Sequence, residues 1–246
     1  MYAAIWTAIS LVLALALPAH AAGCRDVSFE ATSFTVCEAD PATEDVRLFL
    51  SDRDGQPLGT FDNLDAQLSE QGQSLAFAMN GGMYHPDRRP VGLFIEDGET
   101  LSPIVTREGP GNFGLLPNGV LCLGETTARI FESRMFDSEN PACLFASQSG
   151  PMLVIDGALH PRFIPNSSSQ FVRNGVGVTE DGRLLAVISN QRVNFHRFAR
   201  FFRDVLQAPN ALYFDGKVSR LYAPDRARHD IGFPMGPILG VVRPAD

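Results

Sequence analysis

Three segments of this chain share one layout: "VGLFIEDGETLSPIV", "GPMLVIDGALHPRF" and "GVGVTEDGRLLAVIS" each run apolar, turn on an acidic residue and a glycine, and run apolar again. The turns fall at Asp97-Gly98, Asp156-Gly157 and Asp181-Gly182. Both central residues of a two-residue hairpin turn need positive φ, which Gly adopts freely and Asp tolerates, so Asp-Gly between apolar runs predicts a tight antiparallel hairpin. "GLLPNGVLCL" reads as a fourth, turning at Asn118-Gly119. Their unequal spacing argues against an internal repeat.

The segments between the hairpins add a few helices. "RDVSFEATSFTVCEAD" alternates loosely and "VRLFLSD" stops at "DRDGQP", so the chain opens in β. "DNLDAQLSEQG" places Leu64 and Leu68 four apart, with Asp62 or Asn63 as cap and Gly72 as terminator of a short helix. "SLAFAMN" is a buried strand that ends on Asn80. "VNFHRFARFFRDVL" puts Phe195, Phe198, Ala199, Phe202 and Leu206 on one stripe and Arg197, Arg200 and Arg203 opposite, the pattern of a helix that packs on a core. "ALYF" is a short strand that ends at Asp215-Gly216. This order predicts an α/β (mixed α+β) fold, with a largely antiparallel mixed sheet built from hairpins and a few packed helices.

The first residues hold an apolar run from Ala3 to Leu17, then Pro18 and the small-residue site Ala19-His20-Ala21. The run is shorter than the roughly 20 residues of a membrane span and lies before a cleavage-like pattern, so residues 1–22 are expected to be a signal peptide. Residues 23–246 are then expected to form one domain, periplasmic or secreted, with no stable membrane span. An even count of four cysteines in an exported chain indicates two disulfides, with Cys24 to Cys37 and Cys122 to Cys143 as the local pairing. The rival is a lipid anchor on Cys24 in "AAGC". The net charge of −8 argues against nucleic acid as a partner.

Four polar clusters stand at strand ends or tight turns: Asn80-Gly81-Gly82-Met83-Tyr84, Gln148-Ser149-Gly150-Pro151, Arg173-Asn174-Gly175, and Asp215-Gly216 with Ser219-Arg220. If these strand ends meet, one rim holds a carboxylate, an arginine, amides, a hydroxyl and backbone N–H groups, a set that suits a sugar and a phosphate. Taken singly, each cluster is explained as well by turn chemistry. Ser149 lacks the Gly-x-Ser-x-Gly setting of a hydrolase nucleophile. The five histidines, His20, His85, His160, His196 and His229, lack metal-ligand spacing and read as surface or turn residues. No cofactor is indicated, and a divalent cation has no clear ligand cluster.

As a set, "AMNGGMYHPDRRPVGLFIEDGE", "GNFGLLPNGV", "SQSGPMLVIDG", "RNGVGVTEDGRLLAVIS", "NFHRFARFF" and "ALYFDGKVSRLY…MGPILGVV" resemble, in order, segments of phosphodiester glycosidase domains, from about Asp26 to Val242. Animal members remove N-acetylglucosamine from a phosphodiester, and many bacterial members are exported. The resemblance implies that Asn80, Gly81, Gly82, Ser149, Gly150, Arg173 and Asp215 are site positions. "GKVSR" after the aspartate and Asn174-Gly175 depart from the animal pattern, which leaves the sugar open.

The expected activity is hydrolysis of a sugar-1-phosphodiester in envelope or exopolysaccharide metabolism. Asp215 and Arg173 are the expected catalytic pair, Arg173 gripping phosphate as a bidentate donor aided by Gly81 and Gly82 N–H groups. Asn80, Tyr84, Ser149, Gly150, Asn174, Ser219 and Arg220 are expected to contact substrate. The alternative is a non-catalytic periplasmic binding or assembly protein for an anionic glycan.

Overall fold

In the computed structural model, which describes residues 22–245, two of the three Asp-Gly turns are two-residue hairpins with both residues at positive φ: Asp97 at 49° and Gly98 at 78°, Asp156 at 46° and Gly157 at 79°. The third is longer. Only Gly182 is left-handed, at 87°, and Gly182 N–H donates to Thr179 O, closing a four-residue turn. Residues 1–21 of the expected signal peptide, residues 1–22, lie outside the described residues.

In chain order the first elements are β1 (Gly23–Phe29), β2 (Thr32–Ala39), β3 (Asp45–Phe49), helix α1 (Phe61–Ser69), β4 (Gln73–Asn80), β5 (Phe94–Glu96) and β6 (Glu99–Ser102). Next come β7 (Gly119–Leu123), β8 (Ala128–Glu132), α2 (Ser133–Glu139), β9 (Phe145–Ser149), β10 (Met152–Ile155) and β11 (Ala158–Leu159). The chain continues through β12 (Asn174–Val178), β13 (Leu184–Ser189), α3 (Phe195–Arg200), β14 (Asn210–Asp215), β15 (Leu221–Ala223), β16 (Arg228–His229) and β17 (Ile238–Pro244). The described strands form three sheets, with orders β1-β2-β13-β12-β14-β10-β11, β16-β15-β4-β17-β3 and β6-β5-β9-β7-β8. The pairs within them are antiparallel. The fold is mixed α+β and mostly β.

Period-two alternation explains the layering. On β13, Leu184, Ala186 and Ile188 face a central core, while Leu185 and Val187 face α3. On β14, Leu212 and Phe214 face the centre and Ala211 and Tyr213 the helix. The central core is common ground: Phe77 and Met79 of the second sheet and Phe94 and Leu121 of the third join it. Each small sheet backs onto its own helix, α1 through Phe61, Leu64 and Leu68, and α2 through Phe136.

Several local expectations need correction. Thr60 caps α1, its hydroxyl accepting from Asn63 N–H at 3.1 Å, so the helix starts before Asp62. Asn118-Gly119 makes no hairpin turn: Gly119 opens β7, Asn118 is buried, and its amide donates to Phe113 O at 3.0 Å. After Arg200 the helix widens, with Leu206 N–H donating to Phe201 O at 3.2 Å, and the buried Phe201 stacks on Phe34 with ring centroids 4.0 Å apart. His160 does open a turn, its O accepting from Phe163 N–H at 3.2 Å, but it is buried rather than on the surface, and burial depresses its pKa. The expected disulfide pairing holds, Cys24 bonding Cys37 and Cys122 bonding Cys143. The first of these bonds occupies the sulfur that a lipid anchor would need.

Candidate functional site

The strand ends meet, and side-chain amides join them. Asn174, first in β12, lies opposite Asp215, last in β14. Asn80, last in β4, donates through Nδ2 to Asn174 Oδ1 at 3.0 Å, while Asn174 Nδ2 donates to Asn80 O at 2.9 Å. Arg220 N–H donates to Asn80 Oδ1 at 3.0 Å. Ser149, last in β9, donates its hydroxyl to Phe214 O at 3.4 Å. The three sheets are thus tied at one rim. A register shift between Asn174 and Gly175 lets two steps of β14 oppose one step of β12, leaving Phe214 unpaired with β12 between Tyr213 and Asp215.

Most of the polar residues expected at the site build this junction. Asn80, Ser149 and Asn174 are fully buried, with side chains bonded to protein. Gly81 N–H donates to Pro237 O at 2.7 Å, so it is not directed at a ligand. A Cβ would lie 2.8 Å from Leu239 N at Gly81, 2.6 Å from Ser147 Oγ at Gly82 and 2.6 Å from Asn118 Cβ at Gly150; close packing is what these glycines allow. Ser219 donates its hydroxyl to Val172 O and Asp215 O, both at 3.0 Å. The Arg220 guanidinium donates to Phe233 O.

Beside this frame opens a cleft of about 630 Å³. Of the described side chains that line it, one is a carboxylate, Asp215, and three are basic: His85, Arg88 and Lys217. Asp215 Oδ1 accepts from the N–H groups of Lys217 and of Val218, the latter at 3.1 Å, which fixes the carboxylate as a turn cap. Its Oδ2 has no hydrogen-bond partner among the described residues. Tyr84 lines the cleft, with the Arg88 guanidinium 5.4 Å from its ring centroid. Burial, then the charge of Asp215, raises the pKa of the Tyr84 phenol.

Arg173 stands behind this wall. It is 1% exposed, donates through Nε to Val193 O at 2.9 Å and through Nη2 to Ser169 O at 3.0 Å, and lies 3.7 Å above the Phe195 ring. The fork expected to grip phosphate is therefore bound to protein carbonyls. Nη1 is buried and has no hydrogen-bond partner among the described residues. A Cβ on Gly216 would lie 3.5 Å from it and 2.4 Å from the Tyr213 hydroxyl, so glycine keeps open the space between the cleft and this cation. No carboxylate pairs with Arg173 among the described residues; three aromatic rings, Phe171, Phe195 and Tyr213, surround it. Burial lowers its pKa.

His85, Arg88, Asn112, Tyr213, Lys217 and Phe233 also line the cleft without having been singled out for the site. Lys217 carried a usable signal, being the one lysine among 20 basic residues and two places from Asp215. Arginine is too frequent here for Arg88 to stand out.

The family model for phosphodiester glycosidase matches residues 73–237, which include Asn80, Ser149, Arg173 and Asp215. The uncharacterized protein YigE of Escherichia coli is 33% identical over 239 residues, covering 97% of this chain and 92% of that protein. Among solved structures, the zebrafish N-acetylglucosamine-1-phosphodiester alpha-N-acetylglucosaminidase catalytic domain, auto-inhibited by its pro-peptide, aligns with TM-score 0.61 at 14% identity, over 90% of this chain and 82% of that one. An inferred exported protein of Burkholderia pseudomallei aligns with TM-score 0.53 at 12% identity, over 85% and 74%. The two structural likenesses bear on fold alone, but the family match runs from β4 to the residue before the last strand and takes in strands of all three sheets around the cleft. On that ground the chain belongs to the phosphodiester glycosidase family.

Proposed function

We propose that this protein hydrolyses the C1–O bond of a sugar-1-phosphodiester. The observation that carries this reading is the composition of the cleft: one carboxylate, Asp215, among His85, Arg88 and Lys217. An ordinary glycoside leaves as an alkoxide and needs a second carboxyl group as acid. A phosphate monoester is a weaker base and departs with less proton transfer, so a cleft with one carboxylate and the two cations Arg88 and Lys217 matches its needs. Asp215, held through Oδ1, offers Oδ2 to attack C1 or to activate water. Arg88 and Lys217 neutralise the phosphate, and Arg173 acts from behind Gly216 through Nη1 and its charge. Tyr84 offers a ring face to the sugar.

The two disulfides fit an oxidising compartment, and the reading extends to an exported chain, residues 23–246 as one domain, acting on envelope glycans. Sugar release from a panel of sugar-1-phosphodiesters, by wild type, Asp215→Asn and Arg173→Ala, with and without chelator, tests it. Turnover by wild type that falls in both variants is expected. Binding without turnover by wild type would replace this reading with that of a glycan-binding protein.

A further inference from the structure

The loop from Asp230 to Gly236 carries Ile231 and Phe233 at 83% and 79% exposure, and Phe233 also lines the cleft. Its backbone is fixed on both sides of these side chains. Asp230 N–H donates to Leu221 O at 3.1 Å, the Arg220 guanidinium to Phe233 O, the Tyr84 hydroxyl to Pro234 O at 3.2 Å and Met235 N–H to Gly59 O at 2.7 Å. Arg220 also fills the space at Gly232, where a Cβ would lie 3.2 Å from its Cζ. Two large apolar groups are therefore held out in water by an anchored loop, an arrangement that costs hydrophobic free energy unless something covers them. Phe171, 41% exposed, continues the apolar edge against Gly216, where a Cβ would lie 3.3 Å from its own.

A basic cleft that opens past an apolar rim matches a molecule with an anionic head and an aliphatic tail. We propose that the phosphate of the substrate is esterified to a lipid chain, which leaves the cleft over Phe233 and Ile231; the substrate class is a lipid-linked sugar phosphate. This rests on the hydrolytic reading of the same cleft. A phosphodiester has two arms, and with the sugar C1 at Asp215 the other arm must pass the basic side chains toward the rim. Hydrolysis then breaks C1–O, the electron pair leaving on the phosphate oxygen. Water supplies the hydroxyl at C1 and its proton goes to solvent or to the departing phosphate, giving free sugar and a lipid monophosphate.

Calorimetric binding of ethyl phosphate and hexyl phosphate, which resemble the leaving group and contain no glycosidic bond, tests the rim apart from the chemistry. Wild type is expected to bind hexyl phosphate roughly tenfold more tightly, less than full burial of four further methylenes would give. The ratio should fall toward one in Phe233→Ser, a change at an exposed side chain that opens no core. Equal affinities in wild type, no binding of hexyl phosphate, or a ratio unchanged in Phe233→Ser and in the Ile231→Ser/Phe233→Ser double variant would each overturn the proposal. So would a wild-type dimer that is lost in Phe233→Ser, since a second copy would then be what covers the rim. Absence of hydrolysis of sugar phosphodiesters, by contrast, refutes the hydrolytic reading and leaves this ratio measurable.

Discussion

Asn80→Ala separates a frame role for this asparagine from contact with a sugar. The side chain is fully buried and makes two bonds, Nδ2 to Asn174 Oδ1 at 3.0 Å and Oδ1 from Arg220 N–H at 3.0 Å. Truncation leaves two buried polar groups without partners, on Asn174 and Arg220. Each such group costs about 1–3 kcal/mol, so the expected loss is about 4 kcal/mol. Over ~225 residues, where one kcal/mol moves Tm by about 2–4 °C, that is a fall of about 12 °C. Urea unfolding followed by tryptophan-independent far-UV dichroism, with disulfides intact, measures the loss through the midpoint at constant slope. Asn80→Asp should be no better, because it brings an oxygen against Asn174 Oδ1 and introduces a buried charge. Stability within 0.5 kcal/mol of wild type (about the noise for a surface change), together with lost ligand affinity, would refute the frame role and restore the direct contact expected from the sequence.

Three further outcomes follow from particular groups. Asp215→Asn should keep the fold, because its amide oxygen still accepts from Lys217 and Val218 N–H, and should lose about a thousandfold or more of sugar release in a steady-state assay. Burial raises the Glu96 carboxyl to about 7 from 4.5, with Leu50 N–H opposing, so the fold holds a proton that the unfolded chain releases; the contribution of Glu96 to stability is then fully present below pH 4.5 and is lost as pH rises through 7. Glu96 is partly exposed and the effect is screened to about 1–2 kcal/mol; Glu96→Gln should flatten the urea midpoint between pH 5 and 8. Replacing Cys122 and Cys143 by serine and alanine opens a loop of 21 residues and should cost about 3 kcal/mol in the same unfolding assay.

The hairpins at Asp97-Gly98 and Asp156-Gly157 were legible because positive φ is a demand on the turn residues themselves. The Asn118-Gly119 dipeptide carries the same local signal, yet Asn118 is spent on Phe113 O and Gly119 on starting a strand, a choice made by the surrounding packing. Division of the strands into three sheets depends on distant partners, such as β2 beside β13, that no local pattern encodes. The rim itself was readable from polar residues at strand ends. What those residues do there was not: a junction between three buried sheets needs amides, hydroxyls and glycines for the same reasons a ligand would, and only burial separates the two uses for Asn80, Ser149 and Asn174. The groups that face the cleft, Arg88 and Lys217, sit in loops where charge is ordinary.

Hydrolysis of a sugar-1-phosphodiester in oxygen-18 water, with the label located by mass spectrometry in both products, tests glycosidic cleavage most directly. Attack at C1 with Asp215 as the carboxylate puts the label on the released sugar and none on the phosphate. Label on the phosphate alone would mean that the P–O bond breaks, which contradicts the role given to Asp215 and to the single-carboxylate cleft.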